Sequence, residues 1–101
     1  SMSYSIEILP SARREWKKLD RDIKQQAVRK LERLLENPRI PSARLSGMAD
    51  CYKIKLRSKG YRVVYQVVDS RLVIVIVAAA KRDGGKDDVY SIAALRLSRA
   101  E

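Results

Sequence analysis

An α+β sandwich is the fold class these 101 residues predict: one mostly antiparallel sheet, an N-terminal helical hairpin on one face, and a short C-terminal helix, in the order β-α-α-β-β-β-α. Three observations carry that expectation. Apolar residues recur at helical spacing between Ala12 and Leu35. They alternate with charge along the stretch Cys51 to Leu56. The run Leu72 to Ala78 is apolar on both faces, as a central strand must be. The length predicts a single domain over residues 2–101, and no repeat, linker or low-complexity tract interrupts it.

Tyr4 to Leu9 reads as the first strand, with Tyr4, Ile6 and Ile8 alternating against Ser5 and Glu7. Pro10 ends it, and Ser11 is placed to cap a short helix carrying Ala12, Trp16 and Leu19 on one side. Trp16 is expected to anchor the helices to the sheet. Asp20 or Asp22 caps a second helix running to about Glu36. Its stripe of Ile23, Ala27, Val28, Leu31, Leu34 and Leu35 faces a core, leaving Lys24, Arg29, Lys30 and Arg33 outside.

Asn37-Pro38 and Pro41 close the helical part and lead into a loop holding Ser46-Gly47. A β-hairpin follows, turning at Lys59-Gly60, where glycine supplies a positive φ. Asp69-Ser70 makes the next turn, before the central strand. Lys81 to Lys86 is a loop, and Asp87 or Asp88 starts a last helix with a modest apolar face of Ile92, Leu95 and Ala94. So weak a stripe predicts the least stable element of the fold.

Composition narrows the function. The net charge is +10 and the pI about 10.1, which suits a polyanionic partner, while 46% apolar residues argue against disorder. The single Cys51 excludes an internal disulfide and fits a reducing cytosol, and it reads as a small buried strand residue. No signal-peptide pattern is present, and the longest apolar run, Leu72 to Ala80, is too short to span a bilayer. A cytoplasmic protein without a membrane partner is expected. With no His and one Cys, zinc sites, Cys-His dyads and Ser-His-Asp triads are excluded. No Walker or GxGxxG loop appears. No metal site or cofactor is expected, so any catalysis falls to Lys, Arg, Tyr, Asp, Glu or Ser.

The hairpin carries the strongest signal, because residues 51 to 68 contain five cations and no anion. Lys53, Lys55 and Arg57 fall two apart, so a strand places them on one face and turns Ile54 and Leu56 to the other. A two-residue turn at Lys59-Gly60 pairs Arg57 with Arg62 and Lys55 with Val64, which brings all four cations to one surface. Arg82, where the central strand ends, and Tyr90, which opens the last helix, are placed to close its rim. Like charges so arranged repel, a cost accepted for a polyanion such as RNA or DNA.

These residues suit RNA cleavage without histidine. Attack of a ribose 2′-OH on its own phosphate needs a proton acceptor, charge stabilisation on the phosphorane, and an acid for the leaving 5′-oxygen. Arg62 and Arg82 suit the phosphate oxygens because guanidinium forks stay charged. A lysine becomes a base near neutral pH only at a cost of about 4 kcal/mol. Each cation ~6 Å away supplies about 2.8 kcal/mol at an effective dielectric of 20, so crowded cations have a chemical use. Tyr90 is placed to act as acid or base, or to stack on a base.

The stretches Pro38-Arg39-Ile40, Gly47-Met48, Asp50 through Ser58 and Gly60 through Val67 closely resemble the RelE toxins of bacterial toxin–antitoxin pairs. The likeness extends to Glu15-Trp16, Lys18-Leu19, Lys81-Arg82 and Val89-Tyr90-Ser91, and so covers almost the whole chain. It implies an mRNA endonuclease that enters the ribosomal A site, against 16S rRNA, and cuts the bound codon, with a RelB-like antitoxin neutralising it. It implies a catalytic set of Lys53, Lys55, Arg62, Arg82 and Tyr90. Arg57, Lys59 and Lys81 are the further expected contacts to RNA or ribosome. Relatives such as YoeB use a carboxylate and a histidine instead, and this chain has no His. The loop Asp83 to Asp88 departs from the family pattern by being Gly-rich and slightly long. Two alternatives stand beside this reading: a ParE-like toxin that poisons DNA gyrase, and a non-catalytic RNA-binding domain.

Overall fold

The computed structural model describes residues 3–56, 60–85 and 87–99. Four strands and three helices follow the expected order: β1 (Ser5–Ile8), α1 (Pro10–Lys18), α2 (Arg21–Leu34), β2 (Cys51–Lys55), β3 (Tyr61–Val68), β4 (Val73–Lys81) and α3 (Val89–Ser98). Single 3₁₀ turns at Pro41–Ala43 and Asp69–Arg71 fill two of the connections. The sheet order is β1-β4-β3-β2, with β1 parallel to β4 and the other pairs antiparallel.

Local chemistry accounts for most boundaries. Pro10 opens α1 as its first helical residue, where its missing N–H is not needed and its fixed φ suits the helix. Ser11 therefore lies inside α1, and Leu9 takes the cap position expected for Ser11. Asp20 occupies the cap position of α2 as expected, though its side chain makes no capping hydrogen bond. Asp88 caps α3, accepting a hydrogen bond from the Tyr90 N–H.

One core lies between the sheet and the α1–α2 hairpin, built on Ala12, Leu19, Ala27, Leu31, Tyr52, Ile54, Val63, Tyr65, Ile74 and Ile76. Trp16 and Ile23 pack against it from the helices. The buried rings of Tyr52 and Tyr65 stack with centroids 5.6 Å apart, a pairing worth about 0.5–1.5 kcal/mol beyond the area it buries. The Tyr65 hydroxyl donates to the Pro38 carbonyl at 2.7 Å, so the polar end of that ring is satisfied. Val28 and Ile6, expected to face the core, are exposed at its margin.

The second face is shared. A smaller cluster of Cys51, Val64, Val77, Ala78, Val89 and Ala93 lies between the sheet and α3. A register shift between Val64 and Tyr65 on β3 leaves Val77 as the extra residue of β4, so consecutive Val77 and Ala78 both reach α3. Val89 and Ala93, one turn apart, are the residues of α3 that are fully buried, whereas the expected anchors Ala94 and Leu95 are exposed. Ile92, with Tyr90 and Leu97, packs partly buried against the same cluster, so the expected Ile92 does serve as an anchor.

The hairpin register also differs from the expectation. Lys55 pairs with Arg62 and Lys53 with Val64, and the Leu56 N–H donates to the Tyr61 carbonyl at 3.1 Å. The pairing is therefore shifted by two from the expected one, and of the turn expected at Lys59-Gly60 only Gly60 falls within the described residues. Gly60 keeps the positive φ of 78° expected of it. A slip of two preserves every side chain's face, because the strand period is two.

β1 stops at Ile8, and the Leu9 N–H makes the last bond of that edge, to the Ile76 carbonyl at 3.0 Å. Beyond it the edge of β4 is taken by side chains. Glu15 Oε1 accepts from the Ala79 N–H at 3.1 Å, and Arg96 Nη1 donates to the Val77 carbonyl at 3.0 Å. The two side chains close on each other as a bidentate pair at 2.7 and 3.0 Å, so α1, β4 and α3 meet at one ion pair. Glu15→Ala and Arg96→Ala are each expected to cost about 2 kcal/mol in urea unfolding, with a double-mutant coupling of about 1 kcal/mol or more. Additive losses would show that the two side chains act separately.

Candidate active site

Residues of β2 and β3 that point away from the α1–α2 core build the site. Lys53 and Lys55 alternate with the buried Tyr52 and Ile54, and Arg62 alternates with Tyr61 and Val63. Opposite one another across the ladder stand Lys55 and Arg62, with Ala80 on the far side of Arg62. Lys53 lies two residues along from Lys55, on the diagonal from Arg62. Directly opposed side chains sit roughly 5 Å apart at Cβ and diagonal ones roughly 7–8 Å, so the three charges share one small patch. It adjoins the α3 cluster, because Val64 and Ala78 continue the same face.

Arg62 is the unusual member. β3 is internal, so the side chain is only 9% exposed. Its Nη1 donates to the carbonyl of neighbouring Tyr61 at 3.0 Å, while Nε is buried without a hydrogen-bond partner. A methyl group, Ala80, lies on one side and a second cation on the other. Among the described residues no carboxylate forms a salt bridge with Lys53, Lys55, Arg62 or Arg82, whereas Arg39, Arg71 and Arg96 pair with Asp50 and Asp69, Glu7, and Glu15. Buried charge normally comes paired, so an unpaired guanidinium in a cationic patch makes Arg62 a candidate to meet an anion.

Arg82 and Tyr90 flank this patch. Arg82 follows the last residue of β4 and is exposed, and its backbone N–H donates to the Gly60 carbonyl at 2.9 Å, which ties it to the hairpin end. Tyr90, half-buried, is the second residue of α3 and packs against the cluster beneath that helix. The fold therefore puts Lys53, Lys55 and Arg62 on one face, with Arg82 at the hairpin end and Tyr90 on the helix packed over the adjoining apolar cluster. Lys81 stands apart. Its register partner is Tyr61, and its Nζ lies 5.5 Å from the centre of that ring, so it points to the α1 side of the sheet. Arg57 and Lys59 lie outside the described residues.

Other reactive groups are occupied or inert. Cys51 is fully buried, and burial with the nearby Asp50 charge pushes its thiol up to about 11. The Arg39 guanidinium holds the Asp50 carboxyl below its usual range in a network that also takes in Tyr52, Asp69 and Tyr4. A groove of about 640 Å³ lies toward the other end of α3, against Glu7, Gln66, Arg71 and Arg96. None of the five candidate residues lines it. The candidate site is an open basic face, a shape suited to an extended strand. Sequence reasoning noticed Asp88 only as one of two possible helix starts and Glu15 only as part of a resemblance. Their positions, one directly before a helix and one on its inner side, were the available signals.

Known proteins resemble this chain closely. A family model described as the ParE toxin of the type II toxin–antitoxin system, parDE, matches residues 6–84. The mRNA interferase toxin RelE of Escherichia coli K12 is 45% identical over 96 residues, covering 95% of this chain and 99% of the relative. The structure of free E. coli toxin RelE carrying two arginine-to-alanine substitutions superposes with a TM-score of 0.84 at 44% identity, over 95% of this chain and 99% of that one. A chain of the intact E. coli RelBE toxin–antitoxin complex does so with a TM-score of 0.75 at 45% identity, over 79% of this chain and 98% of that one.

The unpaired burial of Arg62 predicts a trade between stability and function. Arg62→Met keeps the length of the side chain and removes both the buried charge and the orphan donor. Unfolding free energy should rise by about 1 kcal/mol or more in urea titrations. A loss of stability in that variant would mean that Arg62 contributes to the fold itself.

Proposed function

The chain belongs to the RelE/ParE family of type II toxin–antitoxin toxins, and we propose that within it this protein is an mRNA interferase that cuts the codon in the ribosomal A site. Its partners are then the mRNA, the ribosome with its 16S rRNA, and a RelB-like antitoxin that neutralises it. The observation that carries the reading is the buried guanidinium of Arg62, unpaired, in a cationic patch beside Lys55. A scissile phosphate placed against that patch accepts the unsatisfied Nε–H and meets Arg82 from the rim. Negative charge growing on the phosphorane is then held by guanidinium groups already in place.

The reaction is attack of the ribose 2′-OH on the adjacent phosphorus with departure of the 5′-oxygen. Lys55, opposite Arg62, and Lys53, on the diagonal, supply positive charge and a proton acceptor, and Tyr90 of α3 serves as proton donor or as a surface on which a base stacks. The five residues have distinct environments: one arginine buried, one exposed, one lysine half-buried, one exposed, and one half-buried phenol. Cyclisation through the 2′-OH proceeds without a metal ion or cofactor. Arg57, Lys59 and Lys81 add positive charge for RNA or ribosome contact, with Lys81 serving the α1 side. Among the described residues no helix is long and apolar enough to cross a membrane, and a cytoplasmic site of action follows from the mRNA substrate.

The matching ParE family model favours one second reading, a toxin that poisons DNA gyrase. Full retention of Lys53, Lys55, Arg62 and Arg82 on one region argues for cleavage. Pulse labelling separates the two, since an interferase stops protein synthesis first and a gyrase poison stops DNA synthesis first.

Arg62→Ala or Arg82→Ala is expected to lower single-turnover cleavage on programmed ribosomes by roughly 10²–10³, the cost of one preorganised donor, with much smaller changes in binding. Near-normal cleavage by either variant removes that arginine from the site. The 5′ fragment should end in a 2′,3′-cyclic phosphate, and EDTA should leave the isolated cleavage step intact once ribosome integrity is controlled. A 3′-hydroxyl end would rule out 2′-OH attack.

Cleavage should also depend on the ribosome. Free RNA rarely holds 2′-OH, phosphorus and 5′-oxygen in line, whereas positioning supplies effective molarities of ~10⁵ M or more. Comparable rates on free RNA and on a ribosome with an empty A site would turn the reading toward a free ribonuclease.

A further inference from the structure

Two charged side chains are buried among the described residues: Arg62, and Asp88 at 5% exposed. Asp88 is conspicuous because Asp83, Gly84, Gly85 and Asp87 around it are all exposed. Its two oxygens serve different segments. Oδ2 accepts from the Tyr90 N–H at 3.0 Å, the ordinary capping bond of α3. Oδ1 reaches back into the loop and accepts from the Asp83 N–H at 2.6 Å and the Gly84 N–H at 3.0 Å. Asp83 directly follows Arg82, whose own N–H is held by the Gly60 carbonyl at 2.9 Å. The backbone at Arg82 is therefore gripped on both sides. The Asp88 N–H closes the loop from within, donating to the Gly85 carbonyl at 3.0 Å, and the Ser91 hydroxyl donates to the same carbonyl at 3.3 Å.

Helix capping alone does not call for this arrangement. A cap needs one acceptor, and Ser, Thr or Asn supplies it about as well as Asp. Burying a full carboxylate is costlier than burying a hydroxyl or an amide, unless its charge answers several donors at once. Burial does push the Asp88 carboxyl upward, but backbone N–H donors from Gly84, Tyr90, Asp83 and Ser91 outweigh it and leave it below the ordinary carboxylate range. Asp88 is thus an anion at neutral pH, and its bonds are charge-assisted.

We propose that Asp88 is a positioning residue of the active site, a single carboxylate whose two oxygens hold Arg82 and Tyr90 in one frame across a Gly-rich loop. The inference rests on the interferase reading, since that reading gives Arg82 and Tyr90 their tasks. Arg82 is exposed and lies on a loop, where a side chain would otherwise wander, and a misplacement of about 1 Å can cost on the order of 10²-fold in rate. The grip on the Asp83 and Gly84 amides turns that loop into a fixed mount. Because Tyr90 is held by the same carboxylate, loop and helix keep their relative placement.

Asp88→Asn and Asp88→Ser test this, because both retain an acceptor for the Tyr90 N–H and neither can serve both segments as the carboxylate does: an amide has one acceptor oxygen, and a serine hydroxyl is too short. On programmed ribosomes each should lower the maximal single-turnover rate by about 10- to 100-fold, with ribosome affinity within about threefold of the parent. In an Arg82→Ala background Asp88→Asn should cost less than about threefold more, since the residue it positions is gone. Hydrogen exchange should show the Asp83 and Gly84 amides losing protection while the interior of α3 keeps its own. Parental rates in both variants, or an equal further loss in the Arg82→Ala background, overturn the proposal. Exchange at Asp83 and Gly84 reads the bridge without any RNA. A parent that fails to cleave therefore counts against the interferase reading, while unchanged protection at those amides in Asp88→Asn counts against the bridge. Should Asp88→Asn not fold, Asp88→Ser carries the same readouts.

Discussion

Arg62 sits on an internal strand, where a side chain has only the two sheet faces to go to. One is filled by the α1–α2 core, and the other carries Lys53 and Lys55 beside α3. Burial on that second face removes most of the guanidinium's water without giving it a carboxylate. Much of the molecule can be understood as tolerating this. Ala80 leaves room beside the charge, the neighbouring Tyr61 carbonyl takes one N–H, and acidic residues are spent on arginines elsewhere. The other described buried or half-buried arginines, Arg39 and Arg96, are paired with carboxylates, and this one is not.

The second recurring feature is the way α3 is held. It buries Val89 and Ala93 fully and packs Tyr90, Ile92 and Leu97 partly against the same cluster. Polar restraints at its two ends supply the rest. Asp88 ties the N-terminal end to the loop after β4, and Arg96 ties the last turn to Glu15 and to the open edge of β4. Both restraints use backbone groups that the ladder leaves unpaired, so the same bonds that place α3 also satisfy the sheet and loop. Hydrogen bonds to charged groups are strong but few, which suits an element whose position matters more than its bulk.

The hairpin shows why some inferences from sequence are robust to error. Alternation put Lys53 and Lys55 on one face and the turn placed at Lys59-Gly60 brought Arg62 to it, and a register wrong by two residues left that conclusion intact, since a slip of two returns each side chain to its side. Strand parity likewise separates Lys81 from Arg82: Lys81 pairs with Tyr61 and turns to the α1 side, although the two are adjacent in the chain. Helix ends were less legible. Ser11 has the chemistry of a cap, yet Pro10 takes the first helical position because its ring geometry suits it there. Leu95 has the hydrophobicity of an anchor, yet it lies on the exposed side of α3, while Val89, Ile92, Ala93 and Leu97 face the sheet.

Periodicity and residue type were enough to set the α+β order of elements, the amphipathic split of α2, the segregation of cations from aromatic and aliphatic residues along β2 and β3, and the exclusion of histidine chemistry. Both are local properties of the chain. Tertiary structure alone decided that Arg62 is buried and unpaired, that Glu15 meets Arg96 across 81 positions, and that one oxygen of Asp88 reaches back behind Arg82 while the other caps α3. Each of these turns on which groups the sheet leaves without a partner. That follows from where β1 stops and where the loop after β4 turns, and no local pattern of residues encodes it.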